Sequence, residues 1–389
     1  MLEKAVIGII GCGMIARGVH LKNAFSSPRI HVKWCCDISE DNLKYVEENY
    51  NPEYITSDYR EILIDSEVDG VMILTTHNIR EKIINDAAEA GKHIYVEKPM
   101  STSAEESYRI MKIIRETGVK LVVGFNRRCA PAIEDAVKIY KEYKANPIDA
   151  PWRFKRVNEE HRPLREEEAT MIMMRINDDL MSFKAYALDE MIGEGAIIGE
   201  LCHFVDLACY ITGKEPVKVY TEGWARVNQV LTLQFEDQSI VNIFETGVGS
   251  FDHPKELIEI YHKGTSIAVD HFVQLRVGGI QGIYKKDYPF WSDPYPYITD
   301  GEGTNLVINK TMERNRIAAD KGDAGYPSVD KGHYKMLDRF ADCILLDTPS
   351  PCNELDGARA TLITLKARES ARLGLPIKIS QDEYDYYFA

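Results

Sequence analysis

The sequence predicts an α/β unit with a parallel sheet, followed by an α+β unit built on a mostly antiparallel sheet. Three observations predict it. Short, wholly apolar runs alternate with helical stretches of about 12 to 15 residues through the first third of the chain. Strand signals then crowd the stretch from Val217 to Val277, separated by turn residues. The 389 residues also exceed what one ordinary domain holds.

The first unit reads in order. Ala5–Ile10 is a continuous apolar run, followed by glycines and a helix-like stretch to about Phe25. His31–Cys36 is a second run and Val71–Leu74 a third, with a helical segment through Ala90. His93–Val96 and Leu121–Val123 repeat the pattern around the helix Ala104–Thr117. Gly91 and Gly118 stand where helix C-terminal glycines belong. After Gly124 the style changes. Pro131–Tyr143 reads as a helix, 147–168 as a charged, irregular insertion, and Thr170–Arg175 as a strand. Ala196–Ile211 reads as one buried helix. Strands are expected at Val217–Trp224, Gln229–Phe235, Ile240–Phe244, Glu256–Tyr261, Thr265–Val269 and Phe272–Val277, an antiparallel sheet of about six. Tyr284–Tyr297 is rich in Tyr, Pro and Trp and reads as an ordered loop without regular structure. Lys331–Leu346 and Leu355–Leu373 are the last helices. The second of these carries Ala358, Ala360, Ala367 and Ala371, which suit close packing.

Composition narrows the function. Lys and Arg number 47 against 61 Asp and Glu, a formal charge of −14, so a general nucleic-acid binder is disfavoured. No apolar run is long enough to span a bilayer, and no membrane partner is expected. The first residues lack the features of a secretory signal, so a cytoplasmic protein is expected. None of the eight cysteines forms a C-x-x-C pair, and reduced, mostly buried thiols are expected.

The strongest local signal is Gly11-Cys12-Gly13-Met14-Ile15-Ala16, between the first strand and its helix. Gly11 permits the tight turn, Gly13 lets the backbone approach a pyrophosphate, and Ala16 lets the helix pack close to the sheet. The N–H groups around Met14 and Ile15, at the helix start, suit phosphates. Asp37 closes the second strand, where a carboxylate can hold ribose hydroxyls. Ile38 and Ser39 follow it rather than Arg, which favours NAD over NADP. A residue opening the next helix is the alternative role for Asp37. Lys98, in Glu97-Lys98-Pro99, ends a parallel strand and points into the crevice where cofactor and substrate meet.

These residues resemble the glucose–fructose oxidoreductase / inositol dehydrogenase family, written Gfo/Idh/MocA. Four features carry the resemblance, in matching order and spacing: the loop 11–16, Leu74-Thr75-Thr76-His77-Asn78, Glu97-Lys98-Pro99, and Gly124-Phe125-Asn126-Arg127-Arg128. The resemblance implies a Rossmann domain, 1–124, and an α+β substrate and oligomerisation domain, 125–389, with a large, mostly antiparallel open sheet. Helix 355–373 is a candidate to pack back on the first domain. It implies NAD-dependent chemistry on a secondary hydroxyl of a sugar, cyclitol or glycoside, and a homodimer or homotetramer. Thr75, Thr76, His77, Asn78, Glu97 and Asn126 would join the loop and Asp37 around the cofactor. Lys98 would stabilise alkoxide character at the reacting carbinol. The family's helix motif D-x-G-x-H-x-x-D is matched at His203 and Asp206, but Gly199 stands in place of its first Asp. Glu200 is the nearest replacement, so Lys98, His203 and Glu200 are the catalytic candidates, with Glu200 or Asp206 expected to orient the histidine. A satisfied core histidine is the alternative for His203.

Arg127, Arg175, Asn177, Asp206 and His333 are candidate substrate contacts. An edge-strand pair in solvent is the alternative for Arg175 and Asn177, and a helix-start residue for His333. His203 and Asp206 lack the further ligands a zinc site wants, so no metal is expected. A redox-neutral enzyme, holding NAD tightly and acting on glycosides through a 3-keto intermediate, is the alternative reaction. A nucleotide sensor would not need Lys98 and His203. The segments 147–169 and 284–328 are where substrate specificity is expected to lie.

Overall fold

The computed structural model describes residues 4–145, 169–179, 195–224, 228–280, 285–292, 297–299, 303–321 and 328–388. The first sheet holds β1 (Ala5–Ile10), β2 (Ile30–Cys36), β3 (Tyr54–Thr56), β4 (Gly70–Ile73), β5 (His93–Val96) and β6 (Leu121–Val123). All pairs are parallel, in the order β3-β2-β1-β4-β5-β6. The order reverses between β1 and β4, which opens a crevice at their C-terminal ends. Every residue of β4 and β6 is buried, as expected for strands covered on both faces. The intervening helices are α1 (Leu21–Ser26), α2 (Glu40–Tyr50), α3 (Arg60–Ile64), α4 (Arg80–Glu89) and α5 (Ala104–Thr117). One wide-turn segment, Ala16–His20, leads into α1. The sequence reading lacked β3 because Tyr54 and Ile55 are exposed at the sheet edge and leave no apolar run.

The second sheet is larger than the six strands expected. It contains β7 (Met171–Asn177), β8 (Pro216–Trp224), β9 (Asn228–Phe235), β10 (Ile240–Thr246), β11 (Glu256–His262), β12 (Thr265–Asp270), β13 (Gln274–Gly278) and β14 (Lys285–Asp287). Strands β15 (Phe290–Ser292), β16 (Tyr297–Thr299) and β17 (Ser328–Val329) form a small separate sheet. Strand β18 (Ile377–Lys378) completes the large one, ordered β14-β13-β12-β11-β7-β10-β9-β8-β18. Among the described residues its pairs are antiparallel except β7–β10, where β7 enters between β10 and β11. The expectation of an irregular 284–297 is thus corrected, since β14 and β15 lie within it. Pro289 falls between them and breaks neither ladder. The expected insertion 147–168 lies outside the described residues, as do parts of 284–328.

The remaining helices are α6 (Pro131–Ala145), α7 (Gly195–Gly199), α8 (Leu201–Thr212), α9 (Gly303–Lys321), α10 (His333–Leu345), α11 (Glu354–Leu373) and α12 (Gln381–Phe388). The single helix expected over 196–211 is two. Gly199 ends α7, and Glu200 stands at the N-cap of α8 with φ −118°. Each sheet has its own core, and α11 serves both. Its Ala358 and Ala360 pack with the parallel sheet, whereas Leu362, Ile363 and Ala367 pack with the second. Phe340 of α10 meets Tyr95 edge-on at 5.9 Å, on the first core. A capping box at Asn353 and Asp356 fixes where α11 begins. All eight cysteines are free and buried. No described helix is long and apolar enough to cross a membrane.

Candidate active site

Where β1 ends, the chain turns at Gly11 with φ +95°. A Cβ there would lie 2.9 Å from the carbonyl carbon and oxygen of Leu74, so the loop requires glycine. A Cβ on Gly13 would meet nothing within 4 Å, which leaves room for a ligand to approach the backbone. The side chains of Met14 and Ile15 are exposed. The Asp37 carboxylate is fastened to this loop. Its Oδ2 accepts from the Cys12 N–H (2.7 Å) and Asn42 Nδ2 (3.1 Å), and its Oδ1 accepts from the Ser39 N–H (2.8 Å). Oδ1 keeps a lone pair for a further donor. Gly11, Gly13, Asp37, Thr75 and Thr76 line one crevice of about 870 Å³. Asn42, on α2, and Ser57–Arg60 line it too; sequence reasoning missed the latter because the short β3 that leads into them went unseen.

The loop after β4 faces the same crevice. Thr75 Oγ1 and His77 Nδ1 are buried without partners among the described residues, while Thr76 Oγ1 donates to Asn78 Oδ1 at 2.8 Å. Burial, with Arg80 and Lys98 nearby, holds the His77 imidazole down at about 3, so it is neutral at physiological pH. Arg80 fastens two strand-end loops together. Its guanidinium donates to the carbonyls of Thr75 (2.7 and 3.0 Å), Glu97 (2.7 Å) and Pro99 (2.5 Å). A lone Arg opening a helix carries no sequence sign of such burial.

Lys98 and Glu200 come together at the end of β5. Lys98 Nζ donates to the Gly199 carbonyl at 2.7 Å and stands 3.6 Å from Glu200 Oε2. Glu200 Oε1 accepts from Arg127 (3.0 Å) and Lys255 (3.1 Å). Arg127 also makes a bidentate pair with Glu256, at 2.8 and 2.9 Å, and Lys331 reaches Glu256 at 2.7 Å. Lys255 Nζ completes the cluster with Asp178 at 2.8 Å. Burial opposes ionisation of Glu200, but Lys255, Arg127 and Lys98 outweigh it and hold the carboxyl well below the usual range. Beneath Lys98, Glu97 Oε1 meets His20 Nε2 at 2.7 Å and Glu97 Oε2 accepts the Lys98 N–H at 3.1 Å. Burial alone would raise Glu97; His20 and Lys98 keep it ionised, at about 2.

His203 is buried on α8, edge-on to Phe125 at 5.7 Å. Burial, then Arg127 and Lys98, hold its imidazole well below the ordinary value, so it is neutral. Its Nδ1 has no partner among the described residues. This corrects the expectation that Glu200 or Asp206 orients it. Glu200 has turned to Arg127 and Lys255 at the helix break. Asp206 is held by Arg128 (2.8 and 2.5 Å), which also reaches Asp356 of α11.

Other expected contacts lie elsewhere. In β7, Ile172, Met174 and Ile176 enter the core, so Arg175 falls on the other face, in a cleft with Leu257 and Asp270. Asn177 Nδ2 donates to the carbonyls of Ser250 (2.6 Å) and His253 (3.2 Å), tying down that loop. It is Asp178, one residue on, that joins the cluster. Asn126 Nδ2 donates to the Lys331 carbonyl at 2.7 Å and so fixes the segment leading into α10. His333 packs edge-on to His20 at 6.3 Å, behind Lys98.

Glu245 is a buried group the sequence did not mark. It lies 2 % exposed on β10 and pairs with Gln229. Burial, then Glu200 and Asp178, push its carboxyl up to about 8, so it is protonated at neutral pH. A carboxyl raised from 4.5 contributes stability that is full below that value and is lost as pH rises through about 8. Glu245→Gln should therefore gain on the wild type between pH 5 and pH 9, by on the order of 3 kcal/mol. Urea unfolding of both proteins at the two pH values checks this; parallel losses of stability would contradict it.

The orphaned Thr75 and His77 atoms, the open space at Gly13 and the spare Asp37 lone pair suit a dinucleotide laid across the strand ends. With Lys98 at the end of β5, fold and site define a dinucleotide-dependent oxidoreductase. Residues 6–125 match the model of the Gfo/Idh/MocA oxidoreductase family with an NAD-binding Rossmann fold. The uncharacterized oxidoreductase YrbE of Bacillus subtilis is 27% identical over 98% of this chain and 99% of its own. An NAD(+)-dependent scyllo-inositol 2-dehydrogenase of the same organism is 36% identical over 129 residues, which is 33% of this chain and 37% of that protein. A solved scyllo-inositol dehydrogenase of Lactobacillus casei, with bound NAD(H) and scyllo-inositol, superposes with a TM-score of 0.68. That match is 16% identical and covers 97% of this chain and 99% of the other.

Proposed function

We propose that the protein oxidises, and in reverse reduces, a secondary hydroxyl of a cyclitol or sugar with NAD. The observation that carries this is Lys98, whose ammonium is anchored by Gly199 and Glu200 at the end of β5 and keeps one N–H free. The scyllo-inositol dehydrogenase relatives support a polyol substrate. Bound NAD supplies the hydride acceptor. Lys98 then hydrogen-bonds the substrate oxygen and stabilises its alkoxide character, while neutral His203 offers a lone pair for the proton. Glu200, between Lys98, Arg127 and Lys255, keeps the lysine in place. Asp37, Thr75 and His77 hold the cofactor on the first domain, 1–124.

The test is a panel of cyclitols, sugars and glycosides incubated with NAD, followed at the reduced-nicotinamide absorbance. NADH accumulating with a cyclitol or sugar supports the proposal. Product formed from a glycoside without net NADH would instead indicate the redox-neutral 3-keto reaction. We also propose a homodimer or homotetramer formed through the second sheet. Met171, Met173, Val230, Phe244 and Tyr261 are exposed on its face away from the core, an apolar surface suited to a second copy. Light scattering gives the mass that decides it. A cytoplasmic setting would suit the eight free thiols.

A further inference from the structure

The discrimination between NAD and NADP has a second component in the crevice wall. Strands β2 and β3 end side by side: Cys36 pairs with Thr56, and the Asp37 N–H donates to the Thr56 carbonyl at 3.2 Å. Ser57–Arg60 therefore stands beside Asp37–Ser39 at the ribose end of the crevice. This wall contains a cation, although no Arg follows Asp37 in sequence. Arg60 is 72% exposed at its side chain, and its guanidinium is held by Asp58 through contacts of 2.8, 3.1 and 2.6 Å. A second cation on the wall, Lys82, is held by Asp86 at 2.6 Å and by Tyr59 at 3.1 Å.

We propose that Asp58 enforces NAD over NADP by holding the Arg60 guanidinium, which lines the crevice, in an ion pair that keeps it from a ribose 2′-phosphate. A 2′-phosphate needs a guanidinium to offset the Asp37 carboxylate. Arg60 is placed to reach it, but three of its donor contacts are spent on Asp58. An exposed ion pair of this kind is worth little by itself, so removing one charge frees the arginine cheaply. Arg60 is then a latent phosphate ligand, and Asp58 withholds it.

Asp58→Asn tests this without dismantling α3. The Asp58 carboxylate also accepts the Arg60 backbone N–H at 3.1 Å, and an asparagine oxygen can keep that bond. Calorimetric titration of the full chain with NAD and with NADP reads binding directly, independent of turnover. Asp58→Asn should tighten NADP about three- to fivefold and leave NAD within about 1.5-fold, the most that releasing an exposed ion pair supplies. The double variant Asp58→Asn/Arg60→Ala should return NADP to the wild-type affinity. An unchanged NADP affinity in Asp58→Asn would overturn the proposal. So would a gain that survives in the double variant, because relief of repulsion alone would then explain it.

Discussion

Replacing Lys98 by methionine is expected to lower turnover on the order of a thousandfold while NAD affinity stays within about threefold. The lysine ammonium touches the Gly199 carbonyl and Glu200, and none of its described hydrogen bonds goes to the glycine loop or Asp37. Those are the groups we propose for the cofactor, and methionine fills the same volume as the aliphatic stem. What disappears is the donor that the proposed mechanism assigns to the reacting oxygen, an interaction that would strengthen as charge develops there. Steady-state kinetics with a calorimetric NAD titration separate the two effects. Turnover within about tenfold of wild type would remove Lys98 from the chemistry.

Arg127→Met should be the most damaging change to stability in the second half of the site. Glu256 is wholly buried and leans on two cations, of which Arg127 supplies the bidentate pair. Removing one partner of a buried ion pair leaves its carboxylate uncompensated, at a cost of about 3–5 kcal/mol. Arg127→Lys should recover part of this loss, since it restores charge but not the planar fork. Turnover should fall as well, because Glu200 loses its 3.0 Å contact with Arg127 beside Lys98. Urea unfolding of the three proteins checks the order; a loss below about 1 kcal/mol in Arg127→Met would show that the cluster tolerates the gap.

The parallel sheet was legible because fully buried strands write themselves as apolar runs, and the glycine loop because φ +95° at Gly11 admits little else. The charged cluster was legible only in part. Lys98 and Glu200 carry local motifs, and Arg127 was placed near the crevice. Lys255, Glu256, Asp178, Glu245 and Lys331 sit on strand ends and loops whose meeting depends on where β7 enters the second sheet. Nothing local marks that insertion. Arg175 and Asn177 were misplaced for a related reason: with a period of two, one residue decides the face, and Asp178 rather than its neighbours turns to Lys255. Asp206 kept its expected burial but not its expected partner, because the break at Gly199 sends Glu200 away from the face that Asp206 shares with Arg128.

The most direct test follows the hydrogen itself. A cyclitol or sugar that is turned over is prepared with deuterium on its reacting carbinol carbon, incubated with the wild-type protein and NAD, and the reduced cofactor is examined by mass spectrometry. Hydride transfer from a secondary carbinol places that deuterium in NADH, one per turnover. Deuterium released to water, or product formed with unlabelled cofactor, would contradict the account.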